Sequence, residues 1–256
     1  MDTGLNGARV LVTGGAGGIG TEIVRAFADE GARVAVHYHT AEEAARDLAD
    51  EIGGIAIGAD LTNESEADAL VPTIVEVMGG LDVCIANAGW YPPQDQPLWD
   101  LSLERWKTVL DRNLTVAFLT SRGFMRHVAS TGAGSLVLVA STAGQFGEAG
   151  HADYAAAKGA IMTGMLMSLK NEAARIGDGV RVNAVAPGWT ITPKREAEGV
   201  DPQHVESATA TMARKHLATP RDIAHQVVVL ASGTLSGHQT GQVVMIAGGM
   251  EGRLIP

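Results

Sequence analysis

The sequence predicts an α/β fold: a single doubly wound domain whose seven-stranded parallel sheet is flanked by helices. Three observations carry that prediction. Short, nearly continuous apolar runs alternate with amphipathic stretches over almost the whole chain, the mark of strands buried on both faces and joined by crossover helices. A glycine cluster, Thr13-Gly14-Gly15-Ala16-Gly17-Gly18-Ile19-Gly20, falls where the first strand gives way to the first helix. The 256 residues, 46% hydrophobic and 19% charged, suit one folded domain with a substantial core.

Residues 9–13 read as the first strand and 19–30 as the first helix, with Ile23, Val24, Phe27 and Ala28 at helical spacing. Residues 33–38 form the second strand and 41–52 the second helix, for which Thr40 and Glu43 offer a capping box. A third strand over 55–59 leads to a helix over 64–78. Pro72 inside that helix removes a donor and is expected to kink or shorten it. Strands over 83–86 and 135–140 bracket a long helical stretch, 103–129, and a further long helix covers 154–176. Residues 181–186, 223–231 and 243–246 supply the sixth strand, the last helix and the seventh strand. Between Ile191 and Leu217 the alternation is broken by Pro193, Gly199 and Pro202, followed by a helical pattern over 203–214. An irregular insertion near the end of such a sheet is where a substrate lid sits, here about residues 189–217. No linker, low-complexity tract or repeat divides residues 1–256.

A net charge of −10 disfavours nucleic acid or an anionic membrane as the main partner, but leaves room for an anionic cofactor held by local backbone dipoles. Cys84, the single cysteine, lies in the apolar run Val83-Cys84-Ile85 and reads as a core residue. Met1-Asp2-Thr3-Gly4 lacks the pattern of a secretory signal, and no stretch is long enough for a membrane span. The expectation is a soluble, cytoplasmic protein.

Glycines at a strand-to-helix junction let backbone N–H groups approach a pyrophosphate, and the helix N-terminus favours its charge. Gly15, Gly17 and Gly20 fit G-x-G-x-x-G, while Thr13, Gly14, Gly18 and Gly20 fit T-G-x-x-x-G-x-G; spacing leaves both registers open. Further on, Tyr154 and Lys158 are four residues apart and share one face of a helix. A phenol titrating near 10 is a poor acid or base at neutrality, and a nearby ammonium stabilises its phenolate. Ser141 and Thr142 end a strand, where a hydroxyl faces the crevice and can bond a carbonyl oxygen that gains charge in hydride transfer. Asn87-Ala88-Gly89 also follows a strand, and Asn113 lies in a helix able to run beneath such a site. Ser141 capping the next turn and Asn87 satisfying loop backbone are the structural alternatives.

With these residues assembled, the chain resembles the short-chain dehydrogenase/reductase family in its compact form of about 250 residues. The resemblance rests on the glycine turn, Asp60-Leu61, Asn87-Ala88-Gly89, Asn113, Ser141, Tyr154-x-x-x-Lys158, Pro187-Gly188 and the closing Gly241-Gln242 and Gly248-Gly249. It implies a Rossmann-type fold and selects the register of Gly14, Gly18, Ile19 and Gly20. It implies that Tyr154 is the proton donor in reduction and the base in oxidation, and that Lys158 lowers the Tyr154 pKa and binds the nicotinamide ribose. Ser141 would hold the substrate oxygen, and Asn113 a water in a proton relay behind Lys158. Asp60 with Leu61 would meet the adenine edge, Asn87 and Gly89 would line the cofactor path, and Pro187, Gly188 and Thr192 would contact the carboxamide.

An NAD-selective site of this type carries an acid about 20 residues past the glycines. Tyr38 occupies that slot here, and His39 and Thr40 can donate to a 2′-phosphate, so NADP(H) is favoured over NAD(H). No basic residue stands at Gly15 or Gly17, and neutral histidine is a modest phosphate ligand. The remaining histidines (His127, His151, His204, His216, His225, His238) show no metal-ligand spacing and read as structural or surface groups.

The expected function is an NAD(P)-dependent oxidoreductase acting on a small-molecule carbonyl or secondary alcohol. Trp90-Tyr91-Pro92-Pro93, residues 142–151 and residues 189–217 would set the substrate, with Trp90, Tyr91, Phe146, Trp189 and Met212 as apolar lining. A 3-oxoacyl thioester reductase acting on acyl carrier protein is a specific alternative, weakened by the uncharged loop over residues 129–134. A non-catalytic nucleotide sensor would have lost Ser141, Tyr154 or Lys158, and an epimerase or dehydratase would carry a longer C-terminal substrate domain. The resemblance also implies a homotetramer or homodimer, packed through the Asn113 and Tyr154 helices and the last strand.

Overall fold

The structure, a computed structural model, describes residues 2–192, 196–197 and 199–252. Strand β1 spans Arg9–Val12, β2 Arg33–Tyr38, β3 Ile55–Gly58, β4 Val83–Ala86, β5 Ala133–Val139, β6 Gly179–Pro187 and β7 Val243–Ile246. Every neighbouring pair is parallel, in the order β3-β2-β1-β4-β5-β6-β7. The apolar strand runs follow from burial on both faces. Val10 and Val12 enter one core with Val34, Val36, Ile85 and Val137, whereas Leu11, between them in β1, enters the other with Cys84, Leu136 and Val182.

The first of these cores is covered by α1 (Gly18–Asp29), α2 (Glu42–Ile52) and a C-terminal helix over Pro220–Ala231. The second is covered by α3 (Glu64–Met78), α5 (Val116–Thr131) and α8 (Leu166–Ile176). Helix α4 (Leu103–Leu110) runs into α5 through the π-helical turn Asp111–Thr115. Helix α7 (Ala152–Ala160) runs into α8 through a second, Ile161–Met165. These two π turns are absent from the expected pattern because one extra residue per turn barely changes apolar spacing. Short helix α6 covers Ala143–Phe146, α9 Pro202–Thr209, α10 Pro220–Ala231 and α11 Gly233–Ser236.

Three local expectations are corrected. The Thr40–Glu43 capping box does not form: α2 starts at Glu42 behind an Ala41 cap without a side-chain hydrogen bond. Thr40 therefore stands one position too early, and Glu42 and Glu43 favour the helix dipole instead. Helix α3 is not shortened at Pro72 but continues to Met78. Pro72 is on the exposed face, where water can satisfy the carbonyl that the proline leaves without a donor. The helical pattern expected over 203–214 is realised only over Pro202–Thr209, capped by Asp201 accepting from the Gln203 N–H. Pro193 and part of the expected lid lie outside the described residues.

Arg181 on β6 is buried and donates to the carbonyls of Leu230 (2.8 Å), Ala231 (2.7 Å) and Ser236 (3.1 Å). Its charge thus meets the carbonyl ends of α10 and α11. The topology matters most at β1 and β4. The chain leaves β1 outward through β2 and β3, then crosses back to β4, so a crevice opens beyond the C-terminal ends of those two strands.

Candidate active site

A cleft of about 630 Å³ occupies that crevice. Its floor is laced by side chains at the strand ends. Thr13 Oγ1 donates to the Ile85 carbonyl at 3.1 Å and accepts from the N–H groups of Asn87 (3.0 Å) and Ala88 (3.1 Å). Asn87 Nδ2 donates to the carbonyls of Thr13 (2.9 Å) and Gly14 (3.1 Å). The loop-satisfying role of Asn87 is therefore realised, and the residue also lines the cleft.

Gly14 has φ +62°, a left-handed conformation that glycine adopts at little cost. A Cβ at Gly20 would run into the Gly14 carbonyl, and one at Gly18 would lie 2.7 Å from Thr192 Cγ2. The turn is also fastened by His37, a residue without an assigned role in the sequence pattern. Its Nδ1 accepts the Gly14 N–H at 3.0 Å and its Nε2 reaches the Ala59 carbonyl at 3.0 Å, which fixes the neutral Nε2–H tautomer. Burial lowers the His37 pKa to about 4, so the imidazole stays neutral near pH 7.

Helix α1 has a glycine N-cap, no side-chain cap and no acidic residue in its first turn, and Gly17, Gly18, Ile19 and Gly20 line the cleft. A helix start of this kind fits an anionic pyrophosphate. Tyr38, His39 and Thr40 line the far end beyond β2. Arg46, missed in the sequence because it reads as an exposed helix residue, pairs with Glu42 at 2.6 Å and also interacts with the Tyr38 side chain. Asp60 and Leu61 are outside the cleft lining. Leu61 is buried in the core, and the Asp60 carboxylate closes its own turn by accepting from Thr62 N (2.9 Å) and Oγ1 (2.7 Å), with His39 at 3.8 Å.

At the other end the structure brings Ser141, Tyr154, Lys158 and Asn113 together with Gly89, Pro187, Gly188 and Thr192 along the same cleft. Ser141 lies just beyond β5, and its Oγ accepts the Ala143 N–H at 3.1 Å, so the capping alternative is also realised. Lys158 Nζ donates to the Val139 carbonyl at 3.0 Å and lies 5.7 Å from the Tyr154 ring centroid. Burial lowers the Lys158 pKa to about 8. Asn113 sits in the first π turn, where its amide holds the Trp90 backbone from both sides: Oδ1 accepts from Trp90 N (3.1 Å) and Nδ2 donates to Trp90 O (2.8 Å). A Cβ at Gly89 would lie 2.9 Å from Asn113 Oδ1 and 3.3 Å from Lys158 Nζ, so only a glycine leaves space where these two groups converge.

Helix α7 is anchored under Tyr154 by an ion pair that no sequence pattern exposed. The fully buried Asp153 carboxylate accepts the Tyr154 N–H at 2.9 Å and the Arg105 Nε at 3.0 Å, tying α7 to α4. Trp90, Tyr91, Glu148 and Trp189 line the mouth beside Tyr154. Met212 and Phe146, expected there, instead pack with Ala247, Met250 and Trp189 in a small separate core. His151, read as a structural or surface group, is buried with its ring stacked on Tyr91. No helix among the described residues is long and apolar enough to cross a membrane.

The family model described as enoyl-(acyl carrier protein) reductase matches residues 14–251. A 3-oxoacyl-[acyl-carrier-protein] reductase of Vibrio cholerae is 34% identical over 251 residues, which cover 96% of this chain and 98% of that protein. The cis-4-hydroxycyclohexanecarboxylate dehydrogenase of Sinomonas cyclohexanicum is 33% identical, covering 93% of this chain and 94% of its own. The glucose 1-dehydrogenase of Gluconobacter oxydans is 34% identical, covering 95% and 92%. These relatives differ in substrate but share the chain almost end to end, and the glycine turn and parallel sheet provide what a nicotinamide dinucleotide needs. The chain belongs to the short-chain dehydrogenase/reductase family and is an NAD(P)-dependent oxidoreductase that acts on small molecules.

Proposed function

We propose that Tyr154 is the acid/base of a carbonyl reductase or secondary-alcohol dehydrogenase working with NADP(H) in preference to NAD(H). A bound nicotinamide gives or takes the hydride; the remaining chemistry belongs to the chain. Tyr154 passes a proton to the substrate oxygen in reduction and withdraws it in oxidation. Ser141 hydrogen-bonds that oxygen as charge builds on it. Lys158, close to the Tyr154 ring and fixed on the Val139 carbonyl, stabilises the phenolate when protonated and binds the ribose hydroxyls. Asn113 holds the Trp90 backbone and a relay water behind Lys158. Gly14, Gly18, Ile19 and Gly20 cradle the pyrophosphate, Asn87 and Gly89 line its path, and Pro187, Gly188 and Thr192 orient the carboxamide. Asp60 and Leu61 shape the adenine end from outside the cleft, Asp60 through His39. Residues 189–217 cover the substrate as a lid, and residues 1–256 act as one catalytic domain.

The observation that carries this reading is the convergence of Ser141, Tyr154, Lys158 and Asn113 on the cleft that the glycine turn opens into. The NADP(H) preference is supported by the missing acid at Tyr38 and by Arg46 beside it. Exposed Phe118, Met167 and Met245, on α5, α8 and β7, support association into a homodimer or homotetramer. A second reading, a 3-oxoacyl-thioester reductase, is favoured by the name of the Vibrio cholerae relative. Titrating NADPH and NADH by nicotinamide fluorescence, and screening carbonyls and alcohols for turnover, tests the main reading. Tyr154→Phe is expected to lower turnover at least a hundredfold while leaving cofactor affinity within about threefold. Tyr38→Asp is expected to reverse the preference for NADPH. Full turnover in Tyr154→Phe, or an NADH preference in the unaltered protein, would overturn the corresponding assignment.

A further inference from the structure

The peptide units that open the glycine turn are held at both ends. In the unit joining Thr13 to Gly14, the carbonyl accepts from Asn87 Nδ2 at 2.9 Å and the N–H donates to His37 Nδ1 at 3.0 Å. In the unit joining Gly14 to Gly15, the carbonyl accepts from Asn87 Nδ2 at 3.1 Å and from the Gly17 N–H at 3.0 Å. Its N–H donates to the His37 carbonyl at 2.8 Å. Asn87 thus holds both carbonyls from beyond β4, and His37 holds both N–H groups from β2. The turn lies between them because β1 pairs with β2 on one side and β4 on the other. Gly14, at φ +62°, has no side chain to resist rotation of these planes, so the hydrogen bonds must fix them.

His37 is 2% exposed, on the face of β2 that carries Ala35 into the second core. An imidazole is tolerated there because both nitrogens are bonded, to the Gly14 N–H and the Ala59 carbonyl. An aliphatic side chain would suit the core but leave the Gly14 N–H without its acceptor.

We propose that His37 is a positioning residue for the cofactor: by accepting the Gly14 N–H, it holds the turn in the conformation from which α1 receives the pyrophosphate. This rests on the reading of the turn as a dinucleotide site and adds a residue that the glycine pattern does not contain. With the Gly14 and Gly15 N–H groups committed to β2, the pyrophosphate is left to the start of α1, where Gly17, Gly18, Ile19 and Gly20 line the cleft. A turn that occupies this conformation only part of the time binds more weakly by that fraction.

The test compares His37→Leu, which fills the space without an acceptor, with His37→Asn, whose Oδ1 can accept in place of Nδ1. Val34→Ala, a truncation of a buried residue in the same strand, is the control for general loss of stability. NADPH and NADH are titrated by nicotinamide fluorescence, and stability is followed by urea unfolding. His37→Leu is expected to weaken both nucleotides by the same factor, about tenfold or more. His37→Asn is expected to stay within about threefold of the unaltered protein, and Val34→Ala to lose stability but not affinity. Unchanged affinity in His37→Leu, or an equal loss in His37→Asn or Val34→Ala, overturns the proposal. A changed NADPH-to-NADH ratio does so too, because it would place the effect at the 2′-phosphate instead of the turn. If His37→Leu does not fold, hydrogen exchange in the unaltered protein decides: by linkage NADPH must slow exchange of the Gly14 N–H, and an unchanged rate overturns the proposal. Failure of the unaltered protein to bind either nucleotide would overturn the dinucleotide reading itself, whereas normal binding that ignores His37→Leu overturns this inference alone.

Discussion

Lys158→Met separates the energetic cost of this site from its chemistry. The Lys158 ammonium is 4% exposed, and burial lowers its pKa from 10.5 to about 8. At pH 7 that difference amounts to roughly 3 kcal/mol of lost stability, because the charged form is solvated in the unfolded chain and buried in the folded one. The sign follows from proton counting. Between pH 8 and 10.5 the unfolded chain binds more protons at this group, so the cost is full below pH 8 and fades as pH rises. At pH 9.5 about 1 kcal/mol remains. Methionine fills similar space without charge but leaves the Val139 carbonyl without its donor, a loss of about 1–3 kcal/mol. At pH 7 the two effects nearly cancel. The informative quantity is the difference between the two proteins, measured by urea unfolding at pH 7 and at pH 9.5. The unaltered protein is expected to gain about 2 kcal/mol relative to Lys158→Met over that interval. Cys84, whose thiol is pushed up by burial, titrates alike in both and drops out. Parallel stability curves would refute a charged, desolvated Lys158.

Gly20→Ala, whose Cβ would meet the Gly14 carbonyl, is expected to displace the turn and weaken cofactor binding at least tenfold, read by fluorescence titration, with about 1–3 kcal/mol of destabilisation. Arg181→Leu leaves the Leu230, Ala231 and Ser236 carbonyls without their shared donor; a loss of about 2–4 kcal/mol in urea unfolding is expected. A loss below about 0.5 kcal/mol would mean that water replaces the guanidinium there.

What the sequence determined by itself was local or periodic. Alternating apolar runs in β1 to β7 require burial on both faces, and that requirement selects a parallel sheet whose crossovers are helices. Tyr154 and Lys158 were legible as a pair because four residues on a helix share a face whatever surrounds them. The glycine turn was legible because its strand-to-helix setting is written in adjacent residues. Tertiary structure decided what depends on groups far apart in the chain. Gly14 and His37 are 23 residues apart, and only the pairing of β1 with β2 puts an imidazole under the turn. Asp153 and Arg105, 48 residues apart, form a buried ion pair because the long helices that carry them pack together. Asp60 shows how the two combine: the family resemblance assigns it to the adenine edge, and the fold adds that Thr62, two residues on, bonds one oxygen of its carboxylate while His39 of the neighbouring strand's end stands 3.8 Å from the other. Periodicity reports which face of an element is buried, whereas hydrogen bonds between distant residues exist only once the sheet order has been chosen.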